Sequence, residues 1–413
     1  MRTLLVAAIF CATAPLLATS SRPSLAGTVL NSNGSPLAGV TVMVYHAGVK
    51  VGYSTFCPSC YIDCGKRTVT DAKGSFEFKD LAPDLWFTLL AAHDGYVPEI
   101  TQHIDPVKVP TVSLKLAAKP PITDFTGTVR GRVVEADGSP IPYAIINPTG
   151  LITGGGASTY GTLPGLEPIS ITNREGEFEL SYSKPTPKML LEVEARAFAP
   201  KFVVMETGPD RRSVTLNEGA VIVGHLVQNG KPVPNAQIAL IHKDDGGFGN
   251  DLKIVGNPYE VVRIGTDANG RFSIPNVPAA VDWYVYPTMD SISALGAASP
   301  IEVHVSKDGE SVHTPDLVIK PGLHVRGTVL VSDNKPIADG MRVILSSGTV
   351  WDSQTVLLAS DGHFEFINIP VGKYTIGASV KGYHENTPQY GPAPFMVDHD
   401  IDNFKTTIYP NVP

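Results

Sequence analysis

Three cysteines stand close together in this chain, within the run Phe56-Cys57-Pro58-Ser59-Cys60-Tyr61-Ile62-Asp63-Cys64-Gly65-Lys66-Arg67. Thiols spaced this way can support four kinds of chemistry. Two can pair as a disulfide and leave the third free, as an oxidising compartment favours. Joining Cys57 to Cys64 is the easier geometry than joining Cys57 to Cys60, but spacing alone does not assign the pairing. Alternatively, Cys57, Cys60 and Cys64 could hold zinc or another thiophilic metal. His46 or Asp63 would then supply the remaining ligand that tetrahedral zinc requires. Cys57-Pro58-Ser59-Cys60 also has the spacing of a thioredoxin-type redox pair, although no βαβ context or helix follows it. The fourth reading is a disulfide to another molecule. Haem attachment is disfavoured because Tyr61, not histidine, follows Cys60.

Other reactive groups are sparse. No G-x-S-x-G, H-E-x-x-H or phosphate loop occurs. His225, His242, His304, His313 and His324 are scattered and form no H-x-H pair. No catalytic or cofactor-binding residue is assigned, so the chain reads as a non-enzyme. The net charge is -8, with no basic run and no Lys/Arg–aromatic stripe, which sets nucleic acid aside as a partner.

The segments that would position the cysteines belong to a pattern that recurs about every 100 residues. A short apolar strand is followed by a polar turn ending in proline. The copies start at Gly27-Thr28-Val29, Gly131-Arg132-Val133, Gly224-His225-Leu226 and Gly327-Thr328-Val329. Their turns are Asn33-Gly34-Ser35-Pro36, Asp137-Gly138-Ser139-Pro140, Asn229-Gly230-Lys231-Pro232 and Asp333-Asn334-Lys335-Pro336. Asp or Asn with Gly supplies the positive φ angles of tight turns, and proline suits a strand start or edge. A second phrase follows in each copy. It reads Thr70-Asp71-Ala72-Lys73-Gly74-Ser75-Phe76-Glu77-Phe78 in the first, and recurs at Thr172–Leu180, Thr266–Ile274 and, shortened, Ser360–Phe366. Phe76 and Phe78 point one way and Glu77 the other, the period-2 pattern of a strand with one face in a core. Each copy is large enough to bury its own core, so the copies read as beads on a string rather than a solenoid.

With Asn276-Val277-Pro278, Ile369-Pro370-Val371-Gly372, Tyr374-Thr375-Ile376, Gly95-Tyr96 and Gly382-Tyr383 added, the succession resembles carboxypeptidase regulatory-like domains, of the transthyretin-like or prealbumin-like class. The resemblance covers units one, two and four and the first half of unit three. It implies an all-β fold of four tandem seven-stranded prealbumin-like β-sandwich domains. It also implies a secreted or surface-exposed accessory, adhesive or substrate-presenting module with no catalytic residues of its own. Intradiol dioxygenases share a similar sandwich but need paired tyrosine and histidine ligands. The hydroxyisourate hydrolases end in Tyr-Arg-Gly-Ser, whereas this chain ends Tyr409-Pro410-Asn411-Val412-Pro413.

The expected domains are 21–119, which carries the cysteine loop, then 120–219, 220–321 (the most divergent) and 322–413. Residues 1–20 read as a Sec-type signal peptide. Met1-Arg2 starts it, an apolar stretch broken by Pro15 follows, and cleavage falls near Ser20, with Ala26 as the alternative. Cys11 lies inside this leader, and Phe10 before it argues against a lipid anchor. No later segment is long and apolar enough to span a membrane. The expectation is a secreted or periplasmic binding or scaffold protein that recognises protein or carbohydrate through loops at the sandwich ends. Metal or redox chemistry at Cys57/Cys60/Cys64 is the alternative. Insertions between the second strand and the Phe strand, including 154–161, 244–251 and Trp351-Asp352-Ser353, are the candidate binding loops.

Overall fold

A computed structural model describes residues 22–161, 163–243, 262–337, 340–385 and 392–411. The leader at 1–20 and the insertion at 244–251 lie outside the described residues. Among those described, strands dominate, and the one α-helix is the short Met289–Ile292. The strands fall into four consecutive sets, each forming two sheets, and no sheet takes strands from two sets.

Unit one shows the plan. Its strands are β1 Leu25–Asn31, β2 Thr41–Val49, β3 Arg67–Val69, β4 Ser75–Phe78, β5 Leu85–Ala92, β6 Glu99–Ile100 and β7 Thr111–Leu116. One sheet runs β4-β1-β7 and the other β3-β2-β5-β6. β4 lies antiparallel to β1, while the closing strand β7 lies parallel to it. Alternation places Phe76, Phe78, Val42, Val44, Phe87 and Leu89 between the sheets. The same parallel closure recurs in each later unit.

Among the described residues, unit one has the expected seven strands, whereas the later sets carry eight, nine and eight. In unit two the glycine-rich stretch turns Ile145–Ile152 back on itself as a hairpin with Ser158–Tyr160. In unit three the closing strand is split into Ser311–His313 and Leu317–Ile319 around Pro315, which has no N–H to give a ladder.

The two repeated phrases are one device. Gly27 lies directly across the ladder from Phe76, Gly131 from Phe178, Gly224 from Phe272 and Gly327 from Phe364. A Cβ added at Gly27, Gly131 or Gly224 would sit 2.5 Å from the opposing phenyl ring, and 2.6 Å at Gly327. The glycine is there because the ring lies over it. Gly131→Ala is therefore expected to lower stability by about 1–3 kcal/mol through overpacking. Urea unfolding checks this, and Phe178→Leu in the same chain should recover part of the loss. An unchanged midpoint would show that the ring is not seated on the glycine.

A threonine joins the turns. Thr70, Thr172 and Thr266 are buried. Their hydroxyls donate to the carbonyls of Leu37, Ile141 and Val233 at 2.7, 2.7 and 2.8 Å. They accept the N–H groups of Val40, Ala144 and Ala236 at 3.0, 2.8 and 2.9 Å. The next residue, Asp71, Asn173 or Asp267, accepts two further N–H groups and holds the turn before the Phe strand.

The units are not loose beads. Leu90 of unit one packs with Ile145 and Ile169 of unit two in a separate apolar cluster. Ala239, Ile241 and Tyr286 of unit three pack against Val350 of unit four. Lys119, at the end of unit one, pairs with Glu167 of unit two at 2.9 Å.

Candidate functional site

The cysteine loop leaves β2 after Val49 and returns at β3. Its disulfide joins Cys57 to Cys60, whose Cα atoms are 5.0 Å apart, and not Cys57 to Cys64. The local turn decides this, because the Cys60 N–H donates to the Cys57 carbonyl at 2.9 Å and brings the two side chains together. The Pro58 carbonyl accepts the Ala47 N–H at 2.8 Å and the Cys64 thiol at 3.3 Å, latching the turn onto β2.

Cys64 is free and buried in the unit-one core. Burial pushes its thiol up to about 11, against the opposing pull of the Arg196 guanidinium. A neutral, buried thiol is a poor nucleophile and a poor metal ligand. Asp63 is 1 % exposed. Its carboxylate accepts from Lys66 Nζ at 2.7 Å, the Ala82 N–H at 2.9 Å and Arg22 Nη2 at 3.2 Å. It therefore fastens the segment before β1, through Arg22, and the β4–β5 connection to the loop. His46 lies on β2, its ring stacked on Tyr45 at 3.8 Å between centroids. Burial, with His103 nearby, lowers it to about 4, so it is neutral at physiological pH. Among the described residues, no group of three or more His, Cys, Asp or Glu is arranged to hold a metal ion.

The loop instead makes contacts between units. Arg196 of unit two donates to the Cys64 carbonyl at 2.8 Å. On the other side, the Ser54 carbonyl accepts the Gly265 N–H of unit three at 2.5 Å, and the Tyr53 N–H donates to Asn235 Oδ1 at 3.3 Å. Gly265 fits only as glycine, since an added Cβ would lie 2.7 Å from the Tyr53 carbonyl oxygen. Tyr61 hydrogen-bonds through its hydroxyl to Ser54 and stiffens the segment that touches unit three. Sequence reasoning singled out Cys57, Cys60 and Cys64 but missed Arg196, Asn235 and Gly265. No local motif marks a residue that reaches into another unit.

Of the other candidate loops, 154–161 forms a closed hairpin turn, with the Thr153 N–H donating to the Ala157 carbonyl and the Gly156 N–H to the Thr153 carbonyl. Beside it opens a cleft of about 720 Å³ lined by Phe125, Pro185, Pro187, Pro209, Thr123 and Gly154. Asp352, in the short unit-four stretch, is not a surface group; it is enclosed at the junction with unit three, accepting the Met289 N–H at 2.7 Å.

No curated protein matches the chain. Among solved structures, the Bacillus anthracis TIE protein is similar at 11% identity over 94% of this chain and 73% of that one, with a TM-score of 0.19. The major pilin subunit of Bacillus cereus is similar at 13% identity over 94% and 99%, with a TM-score of 0.18. The minor pilin of Streptococcus agalactiae is similar at 12% identity over 47% and 99%, with a TM-score of 0.23. Superposition this weak leaves the function to be argued from the chain's own residues. No helix among the described residues is long and apolar enough to cross a membrane. The sandwich that carries the cysteine loop is better placed: residues 24–117, the whole span of β1 to β7, match the carboxypeptidase regulatory-like domain.

Proposed function

We propose that the chain is an exported, non-catalytic scaffold that presents the loop ends of its sandwiches to a protein or carbohydrate ligand at the cell surface or in the periplasm. The observation that carries this reading is the inward docking of the cysteine loop. It is tied to unit two through Arg196 and to unit three through Ser54, so the unit-one loop richest in reactive groups serves as a joint. The Cys57–Cys60 disulfide agrees with an oxidising compartment. The cleft beside Phe125 is where ligand contact is expected, since an aromatic ring and prolines offer rigid apolar surface.

Small-angle scattering of the intact chain, paired with arrays of glycans and surface proteins, tests this. The expected result is one compact shape for the native chain, a larger maximum dimension for Arg196→Ala, and saturable ligand binding that Phe125→Ala weakens. An extended, broad distribution for the native chain would overturn the scaffold reading. Stoichiometric bound metal lost on Cys57→Ser would favour chemistry at the cysteines instead.

A further inference from the structure

The junction of units one and two holds a crevice of about 480 Å³. It is lined by Arg67 and Val69 of β3, Thr41 of β2, and Pro142, Tyr143 and Arg174 of unit two. We propose that this crevice binds an acidic peptide segment in extended conformation, with a carboxylate held between Arg67 and Arg174 and the peptide backbone laid along the free edge of β3. The assignment stands whether or not the loop-end reading above holds.

Three observations carry it. The first is charge. Arg67 and Arg174 line the same crevice, and neither forms an ion pair with a carboxylate among the described residues. Two unmatched guanidiniums facing one crevice, in a chain of net charge -8, mark a place built for an anion from outside. Guanidinium forks match carboxylates with two parallel hydrogen bonds.

The second is backbone strain. Gly39, Tyr143 and Asn235 occupy equivalent places in units one to three. Each donates its N–H at 3.0 Å to the carbonyl of the bridging threonine, Thr70, Thr172 or Thr266. All three have positive φ, at 79°, 61° and 52°. Glycine and asparagine tolerate that region, whereas a bulky aromatic residue there is an outlier. Unit two keeps the tyrosine, and its ring lies under Arg67 with the guanidinium 5.3 Å from the centroid. The strain places a platform that orients Arg67 toward the crevice.

The third distinguishes a peptide from other anions. Among the described residues β3 pairs only with β2, so its outer edge offers unpaired backbone donors and acceptors. Arg67 and Val69 stand two residues apart on one face of that strand, and Val69 is 60% exposed. A strand added there would meet a positive charge and then an apolar side chain at alternate positions, the pattern of β-augmentation.

The test uses the full chain and a fluorescent hexapeptide of alternating Glu and Val, read by anisotropy. The expected result is saturable binding that weakens about fivefold for each of Arg67→Gln and Arg174→Gln. Tyr143→Gly, the residue of unit one at that place, should keep the melting temperature and weaken binding. A Lys–Val peptide should not bind. The proposal is overturned if the Glu–Val peptide does not bind, if the two arginine variants bind it as the native chain does, or if an oligogalacturonate of equal charge binds equally well. Equal binding would make the crevice a general anion site.

Discussion

Replacing Asp63 with alanine should cost unit one about 3 kcal/mol and expose the Cys64 thiol. The carboxylate is buried and accepts from Lys66, Arg22 and the Ala82 N–H. Removing it leaves an enclosed backbone donor unpaired and two cations without their counter-charge, a larger loss than deleting a surface pair. Because Lys66 and Arg22 are partly solvated, the loss falls at the lower end of that for a fully buried pair. The loop end at Cys64 should then loosen. Maleimide labelling without denaturant or reductant should be negligible for the native chain and complete for Asp63→Ala. Asp63→Asn should lie between, since its amide oxygen can still accept from Ala82. A native melting temperature and a silent Cys64 in the alanine variant would refute the anchoring role.

The junction of units three and four should strengthen on acidification. Asp352 is enclosed there, accepting the Met289 N–H at 2.7 Å and the Ser353 N–H at 2.9 Å. Burial raises its carboxyl to about 7, with Asp290 adding to the rise and Arg263 opposing it. Tyr286 and Tyr374 also face it, and both are held neutral by burial. A released aspartate titrates near 3.9. The packed junction thus holds the proton more tightly than the separated one. Its contribution is complete below about pH 4 and is lost as pH rises through about 7, on the order of 4 kcal/mol in all. Calorimetry between pH 5 and pH 8 should show a transition whose midpoint falls as pH rises, and Asp352→Asn should flatten that dependence. A native transition independent of pH would show that Asp352 is not enclosed.

The sandwich class was legible because its signals are local. Phe76 and Phe78 alternate with Glu77, and Gly74, Gly176, Gly270 and Gly362 all adopt the positive φ that their phrase requires. The coupling of each anchor glycine to its phenylalanine was not legible. Gly27 and Phe76 are far apart in the chain, and only strand register shows that one ring covers one glycine. The bridging threonines read as ordinary strand residues until their two hydrogen bonds joined the turns. At the cysteines, composition indicated a disulfide, but the pairing depended on a turn that spacing alone does not reveal. The role of the loop was least legible of all, since Arg196, Asn235 and Gly265 lie in other units and carry no shared motif.

The parallel closure of each unit has a mechanical consequence. β1 and β7 run side by side in the same direction, in register from Ala26 opposite Thr111 to Asn31 opposite Leu116. The chain therefore enters a unit at one end of the sandwich and leaves at the other. Tension applied along the chain pulls these two strands past one another, so the hydrogen bonds between them are loaded together in shear rather than opened singly. A pull along the chain thus loads the closing ladder of each unit in shear.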